Sequence, residues 1–582
     1  MGVRRRPQRG HRYAESPVLQ LALQGWRSRT VGLLLMAAFL ALVARGFYLQ
    51  VINNDFLQEK GESRYRRDIE VSASRGRIVD RHGDMLAVST PMKSVWAIPG
   101  DARTMSAPQK RQLAALLEMG ERELDGKLAA DKTFVFIRRQ VPPETAARIA
   151  ALKLPGIHQE KEYRRYYPTG DMTAHIVGFT GVDDKGLEGV ELAFQGSLLG
   201  RPGARTVIRD RRGNIVEDVG AARPPQDGKD IRLALDSKIQ YLAYAQLKNA
   251  VENHKAKAGG AIVIDARTGE ILALVNLPTY NPNNRERLTG AQLRNRALTD
   301  TFEPGSVMKP FTAALALERG KVRYDTVINC APGRLTIGSA TISDAHPHGA
   351  LTVAEVIQKS SNVGTAKIAL TFPPKEMWEL YDGLGFGQAP NLGFPGEVAG
   401  RLRPWKNWRP IEQATMSYGH GIAVSLVQLA RAYTVFAKDG ELLPLSLTRV
   451  DEAPVHGARI FSPQTVREVR SMLEMAVQPG GTAPKARVPG YRVGGKTGTA
   501  YKIENGQYAR KYIASFVGIA PVSDPRLVVA VMIDEPSAGG HYGGDVAGPA
   551  FSQIAGGALR TLGIPPDAPI QVADARDAKE KL

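Results

Sequence analysis

The sequence predicts an α+β protein held behind a single N-terminal transmembrane helix. Three observations predict it. An apolar run from Val31 to Ile52 follows an arginine-rich start. A hairpin pattern, Gly260–Asp265 and Glu270–Val275 around Ala266-Arg267-Thr268-Gly269, is matched far downstream by strand patterns at Arg492–Tyr501, Tyr512–Ala520 and Leu527–Ile533. Between them lies a helical, loop-rich middle from 286 to 480. Strands, helices, strands and a last helix in that order predict an antiparallel five-stranded sheet flanked by helices, some of them forming a helical subdomain from the middle of the chain.

Residues 1–30 form a basic tail, with seven arginines before residue 30 (Arg4, Arg5, Arg6, Arg9, Arg12, Arg27, Arg29) against one acid, Glu15. The run 31–52 is broken only by Arg45 and Gln50 and is about as long as a helix needs to cross a bilayer. Arg45 can snorkel to the far interface, where Phe47 and Tyr48 are also at home. A cleaved signal peptide is the alternative, but the run exceeds a typical signal core and no clear small-x-small site follows. The reading is a retained anchor with its N-terminus in the cytoplasm and everything after residue 52 outside.

Residues 53–225 form a mixed segment broken by turns. Its clearest piece, RGRIVDRHGDMLA (Arg75–Ala87), places two short strand patterns around an R-H-G-D turn. Residues 107–130 and 143–152 read as helical, and nothing in the segment pairs a nucleophile with a base. Pro224-Pro225-Gln226-Asp227-Gly228 is a plausible boundary. The domain 228–562 then opens with a strand at Ile231–Leu235 and a helix at Ile239–Asn253, and closes with a helix from Asp545 to Leu562. The end, 563–582, is polar and reads as a disordered tail.

Composition excludes several classes. The net charge of +19 could suggest nucleic acid, but beyond the first residues there is no long basic run and no basic stripe interleaved with aromatics. With a single cysteine, Cys330, there is neither a disulfide framework nor a metal-finger spacing. No cofactor and no metal is expected. An anionic cell envelope is the better match for the excess charge.

The chemistry centres on Pro304-Gly305-Ser306-Val307-Met308-Lys309. Pro-Gly stops what precedes it, and VMKPFTAALALE is rich in helix formers, which places Ser306 at a helix N-terminus. Lys309, three residues on, falls on the same face, and a desolvated lysine can take the serine's proton. Unpaired N–H groups at the helix start could receive an oxyanion. Alone, such a pair arises by chance. Two triplets change its weight. Ser360-Ser361-Asn362 would otherwise read as a turn or N-cap, and Lys496-Thr497-Gly498-Thr499 as an ordinary strand or turn. Taken together, Ser360 can relay a proton, Asn362 can hold a substrate amide and the lysine, and Lys496 can orient Ser360 and attract a carboxylate. Gly498 would let substrate backbone pair with the strand, and Thr499 would offer a second N–H to the oxyanion. His420, in Ser417-Tyr418-Gly419-His420-Gly421, is a candidate substrate contact; Glu303, just before the Pro-Gly, reads equally as a helix-start charge and as a catalytic group.

Ser-x-x-Lys, Ser-x-Asn and Lys-Thr-Gly in that order form the signature of active-site-serine penicillin-recognising enzymes. Residues 228–562 resemble the transpeptidase domain of the penicillin-binding proteins, and RGRIVDRHGDMLA resembles the opening of the class B non-catalytic pedestal. TFEPGSVMKPFTAALALE and Val177–Asp218 resemble the cell-division type of that class. The resemblance implies a mixed α/β pedestal at 53–225 and a peptidoglycan D,D-transpeptidase that cross-links stem peptides at the division septum through acyl-Ser306. It implies β-lactams as inhibitors, and an FtsW-type glycosyltransferase and other divisome membrane proteins as partners. Alternatives stay open: an elongation-type class B enzyme, a D,D-carboxypeptidase, or a membrane scaffold or β-lactam sensor regulating a glycosyltransferase. A β-lactamase lacks support because no Glu-x-x-Leu-Asn follows Ser360.

Overall fold

The computed structural model describes residues 25–53, 66–209, 215–452, 455–504 and 506–569. The basic stretch before residue 25 and the polar end from residue 570 lie outside the described residues. Two compact units emerge, one drawn from Met1–Val71 and Pro202–Pro225, the other from Ser72–Arg201 and Gln226–Leu582.

The first unit holds the apolar helix, Gly25–Phe47, continued by a wider turn at Tyr48–Ile52. Its 28 residues have a mean hydropathy of 2.0 in their most apolar window and none of that window is buried, as expected of a helix whose partner is lipid. The helix begins before Val31 because Trp26 to Thr30 continue it. The same unit contains a three-stranded antiparallel sheet, with Gly203–Arg209 between Arg66–Val71 and Ile215–Arg223.

In the second unit, the Arg75–Ala87 hairpin forms as expected, Ile78 pairing with Ala87, but its second strand runs on to Ala97. There it is flanked by Val135–Val141 and Ile157–Tyr166. The expected helix at 107–130 is two helices, Ala107–Leu116 and Glu121–Leu128. Gly120 caps the second, and a glycine in extended backbone ends any continuous helix. Leu113, Leu124 and Ile149 bury their apolar faces against Val95, Ala97 and Ile137.

The large sheet has five antiparallel strands in the spatial order Ile271–Leu277, Ala258–Asp265, Leu527–Asp534, Gln507–Ala520, Gly494–Glu504. Ala258–Asp265 and Leu527–Asp534, two of the three inner strands, are buried at every residue, as is the edge strand Ile271–Leu277, which explains their runs of apolar residues. Alternate side chains serve two cores. Val263, Val529 and Val531 pack with the helices Ser237–Asn253 and Gly548–Thr561. Ile262, Ile264 and Val528 face the helical middle, where Lys309–Glu318 and Leu426–Ala437 are buried almost throughout. Gly494–Glu504, carrying Lys496 to Thr499, is an edge strand whose outer side is paired with no strand among the described residues.

Some boundaries differ from expectation. Only Ile231–Arg232 is strand, parallel to Ile78–Val79, because Leu233–Leu235 bend into the cap of the next helix, where Asp236 accepts from the N–H groups of Lys238 and Ile239. The closing helix is Gly548–Thr561 after a short turn at Gly543–Val546, Pro549 taking the N-terminal position it tolerates. The middle contains two small antiparallel pairs, Val327–Asn329 with Ala350–Thr352 and Arg334–Ile337 with Ala340–Ser343. The chain past residue 562 stays docked as far as Ala568. Ile564 is buried, and Asp567 accepts from the Arg492 N–H at 2.7 Å.

Candidate active site

Ser306 sits in a 3₁₀ turn, Gly305–Met308, and not on the first turn of the α-helix, which starts at Lys309. Three glycines make the turn possible. Gly305 has φ +61°, a conformation side chains resist. Its N–H donates to the Gly419 carbonyl at 3.2 Å, and a Cβ on Gly419 would come within 2.2 Å of the Gly305 oxygen. A Cβ on Gly498 would meet the Ser515 hydroxyl at 2.3 Å and the Pro304 carbonyl at 2.7 Å. So Gly498 is glycine because the nucleophile's turn lies against the strand, a reason different from the expected approach of substrate.

Ser306 is half-buried and lines a cleft of about 740 Å³ together with Ser360, Asn362, His420, Thr497 and Thr499. Six of the nine residues singled out from sequence therefore share one cavity with further neighbours, and Lys309, Lys496 and Gly498 lie buried behind its wall.

Lys309 has no exposed surface. Its Nζ donates to the Ser360 carbonyl at 2.5 Å and to the Ser360 Oγ at 3.1 Å, so its hydrogen bonds go to Ser360 and not to Ser306. Burial and the nearby Lys496 ammonium hold its pKa well below the usual lysine range, with Asp344 pulling the other way. Ser360 ends the helix Val353–Lys359 with φ +61°, and that left-handed geometry costs a non-glycine residue about 1–2 kcal/mol. Ser361 caps the next helix, Asn362–Ala369, by accepting from the Gly364 N–H at 2.9 Å. Asn362 Nδ2 donates to the Ser343 carbonyl at 2.9 Å.

Lys496 is likewise without exposed surface, and burial lowers its pKa to about 7. Its Nζ donates to Thr497 Oγ1 at 3.2 Å, and its hydrogen bonds do not reach Ser360. Thr499 Oγ1 accepts from the Gly543 N–H at 3.1 Å, tying the edge strand to the turn before the last helix. His420 rests edge-on against Tyr418, ring centroids 5.1 Å apart, and burial beside Lys309 lowers it to about 4, leaving a neutral imidazole. Glu303 is no helix-start charge. It is buried, accepts from the Gly421 N–H at 2.8 Å and from the Tyr508 hydroxyl at 3.1 Å, and burial lifts its carboxyl.

Residues that pattern reading passed over also line the cleft. Asp344 is one, and no sequence signal marks it. An aromatic run continues from His420 through Tyr508, Tyr501, Tyr512 and His541, whose ring stacks on Tyr512 at 4.0 Å. Tyr501 and Tyr512, at the facing ends of two strands expected from sequence, were the available clue.

The geometry coincides with what comparison with known proteins finds. Residues 259–556 match the model of the penicillin-binding protein transpeptidase domain, and residues 70–233 that of the penicillin-binding protein dimerisation domain. The chain belongs to the class B penicillin-binding proteins. It is 49% identical over 540 residues to a probable peptidoglycan D,D-transpeptidase PenA of Neisseria gonorrhoeae, covering 92% of each chain. It is 44% identical over 550 residues to the peptidoglycan D,D-transpeptidase FtsI of Escherichia coli K12, covering 93% of each. Among solved structures, the transpeptidase domain of penicillin-binding protein 3 from Burkholderia pseudomallei is 57% identical, with a TM-score of 0.54, spanning 58% of this chain and 98% of that one.

Proposed function

We propose that this protein is a peptidoglycan D,D-transpeptidase of the division septum, working through an acyl-Ser306 intermediate. The observation that carries the reading is the buried Lys309, bonded to Ser360 inside the cleft that holds Ser306. A neutral Lys309 takes the Ser306 proton as Oγ attacks the carbonyl carbon of the penultimate D-Ala. The Ser306 and Thr499 N–H groups stabilise the oxyanion. As the C–N bond breaks, Ser360 passes the proton from Lys309 to the departing D-Ala amine, and an amine of a neighbouring stem then attacks the ester and frees Ser306. Lys496 attracts the donor carboxylate, Asn362 holds the stem amide, Thr497 and His420 line the path of the peptide, and Gly498 lets the serine turn lie against the strand. The unpaired outer side of Gly494–Glu504 suits a peptide added as a further strand. A β-lactam imitates the D-Ala-D-Ala end and leaves a long-lived acyl-Ser306.

In this reading residues 1–30 are cytoplasmic, 31–52 span the inner membrane, 53–225 are the pedestal, and 228–562 catalyse in the periplasm. An FtsW-type glycosyltransferase and other divisome membrane proteins would meet the anchor and pedestal. The test offers the full-length protein in detergent a donor stem ending in D-Ala-D-Ala and a labelled D-amino acid as acceptor. Release of D-Ala with incorporation of label, both lost in Ser306→Ala, is expected. Release without incorporation would make the protein a carboxypeptidase and overturn the assignment.

A further inference from the structure

Asp344 follows the small strand Ala340–Ser343 and lines the cleft. Its N–H donates to the Gly333 carbonyl at 2.9 Å, so the loop is anchored independently of the triplet it faces. One carboxylate oxygen is engaged with that triplet and the other with the residue that follows it. Oδ2 accepts from Ser361 Oγ at 2.8 Å and Oδ1 from the Val363 N–H at 2.9 Å, while the adjacent Ser343 carbonyl accepts from Asn362. The residue before Ser361 is Ser360, held left-handed with its carbonyl and hydroxyl on Lys309. Of the charged groups acting on Lys309, Lys496 opposes its protonation and Asp344 favours it.

We propose that Asp344 is a positioning residue of the acylation machinery, resting on the serine–lysine reading above. It has two effects. Through Ser361 and Val363 it fixes the strained Ser360 and, with Ser343, Asn362, so that the proton relay meets Lys309. Through its charge it offsets Lys496 and sets where Lys309 titrates. A carboxylate suits both: two acceptors pointing at two donors, and one negative charge acting on the buried Lys309.

The test measures acylation of the full-length protein by a fluorescent penicillin, separating the saturation constant from the limiting rate across pH 5–9. A misplaced relay costs about 100-fold, so Asp344→Asn should lose on that order in limiting rate with little change in saturation. The acid limb of its rate profile should move to lower pH, because removing the negative charge makes Lys309 easier to deprotonate. Ser361→Ala, which keeps the carboxylate, should slow acylation without moving the limb. A wild-type rate and an unmoved limb in folded Asp344→Asn would overturn the proposal. If Asp344→Asn yields no folded protein, Ser361→Ala decides, and a wild-type rate there also overturns it. Failure of the wild type itself to acylate at Ser306 would instead remove the serine–lysine reading.

Discussion

Lys496 lies on a fully packed stretch of the edge strand with Thr497 as its hydrogen-bond partner, and that placement has a thermodynamic signature. Its pKa in the fold, about 7, is below the value of roughly 10.4 expected in the unfolded chain. Between those values the unfolded chain binds the extra proton, so this residue's contribution to stability rises with pH across that window. Below about pH 7 the penalty is complete. Lys496→Met should therefore raise Tm most at pH 6–7, with the gain fading towards pH 10, while acylation falls. Thermal melts across pH check this, and a pH-independent Tm difference would contradict it. The six polar residues of the three motifs were legible in sequence because their chemistry needs particular types at particular spacings. Their partners were not. Asp344 reaches Ser361 only because the small pair Arg334–Ile337 and Ala340–Ser343 turns the chain back, and four-residue strands leave no period in a loop-rich stretch. Lys309 bonding to Ser360 depends on a left-handed serine that no local propensity favours.

At the scale of elements, the serine turn, the SYGHG loop and the edge strand meet backbone against backbone through Gly305, Gly419 and Gly498. Gly498→Ala should lower stability by about 1–3 kcal/mol, the usual cost of overpacking, and slow acylation by pushing the Pro304 carbonyl and hence Ser306 out of line. Tm and the acylation rate, read on the same sample, test it. Unchanged acylation would mean that the turn yields without moving the nucleophile. The glycine's existence was readable from Lys-Thr-Gly; its reason required the contact between distant segments. The strands were readable because the three fully buried ones carry apolar runs rich in Val, Ile and Leu. The split of 107–130 was not, since a glycine cap inside polar sequence leaves the helical composition unaltered.

At the scale of the molecule, the second unit contains a buried charge cluster far in sequence from the cleft. Glu191 accepts from Arg75 Nε at 2.6 Å through one oxygen and from Arg165 Nε at 2.6 Å through the other, all three side chains essentially without exposure. Arg75 is the first residue of the RGRIVD stretch, and its Nη2 also donates to the Glu191 carbonyl. Breaking such a pair leaves a buried charge half-compensated, so Arg75→Met should destabilise the fold by about 3 kcal/mol, seen as a lowered unfolding midpoint. The apolar helix makes a separate prediction. Full-length protein should stay with membranes after a high-salt wash and be released by detergent, because hydrocarbon burial and not charge holds it. Release by salt alone would contradict a spanning anchor.

The central claim is that Ser306 is acylated with Lys309 as its base. Time-resolved intact mass of the full-length protein with penicillin, beside Ser306→Ala, tests it most directly. The account predicts one adduct per chain that persists for many minutes and is absent from the variant. No adduct on folded wild type, or an equal adduct on Ser306→Ala, would contradict it.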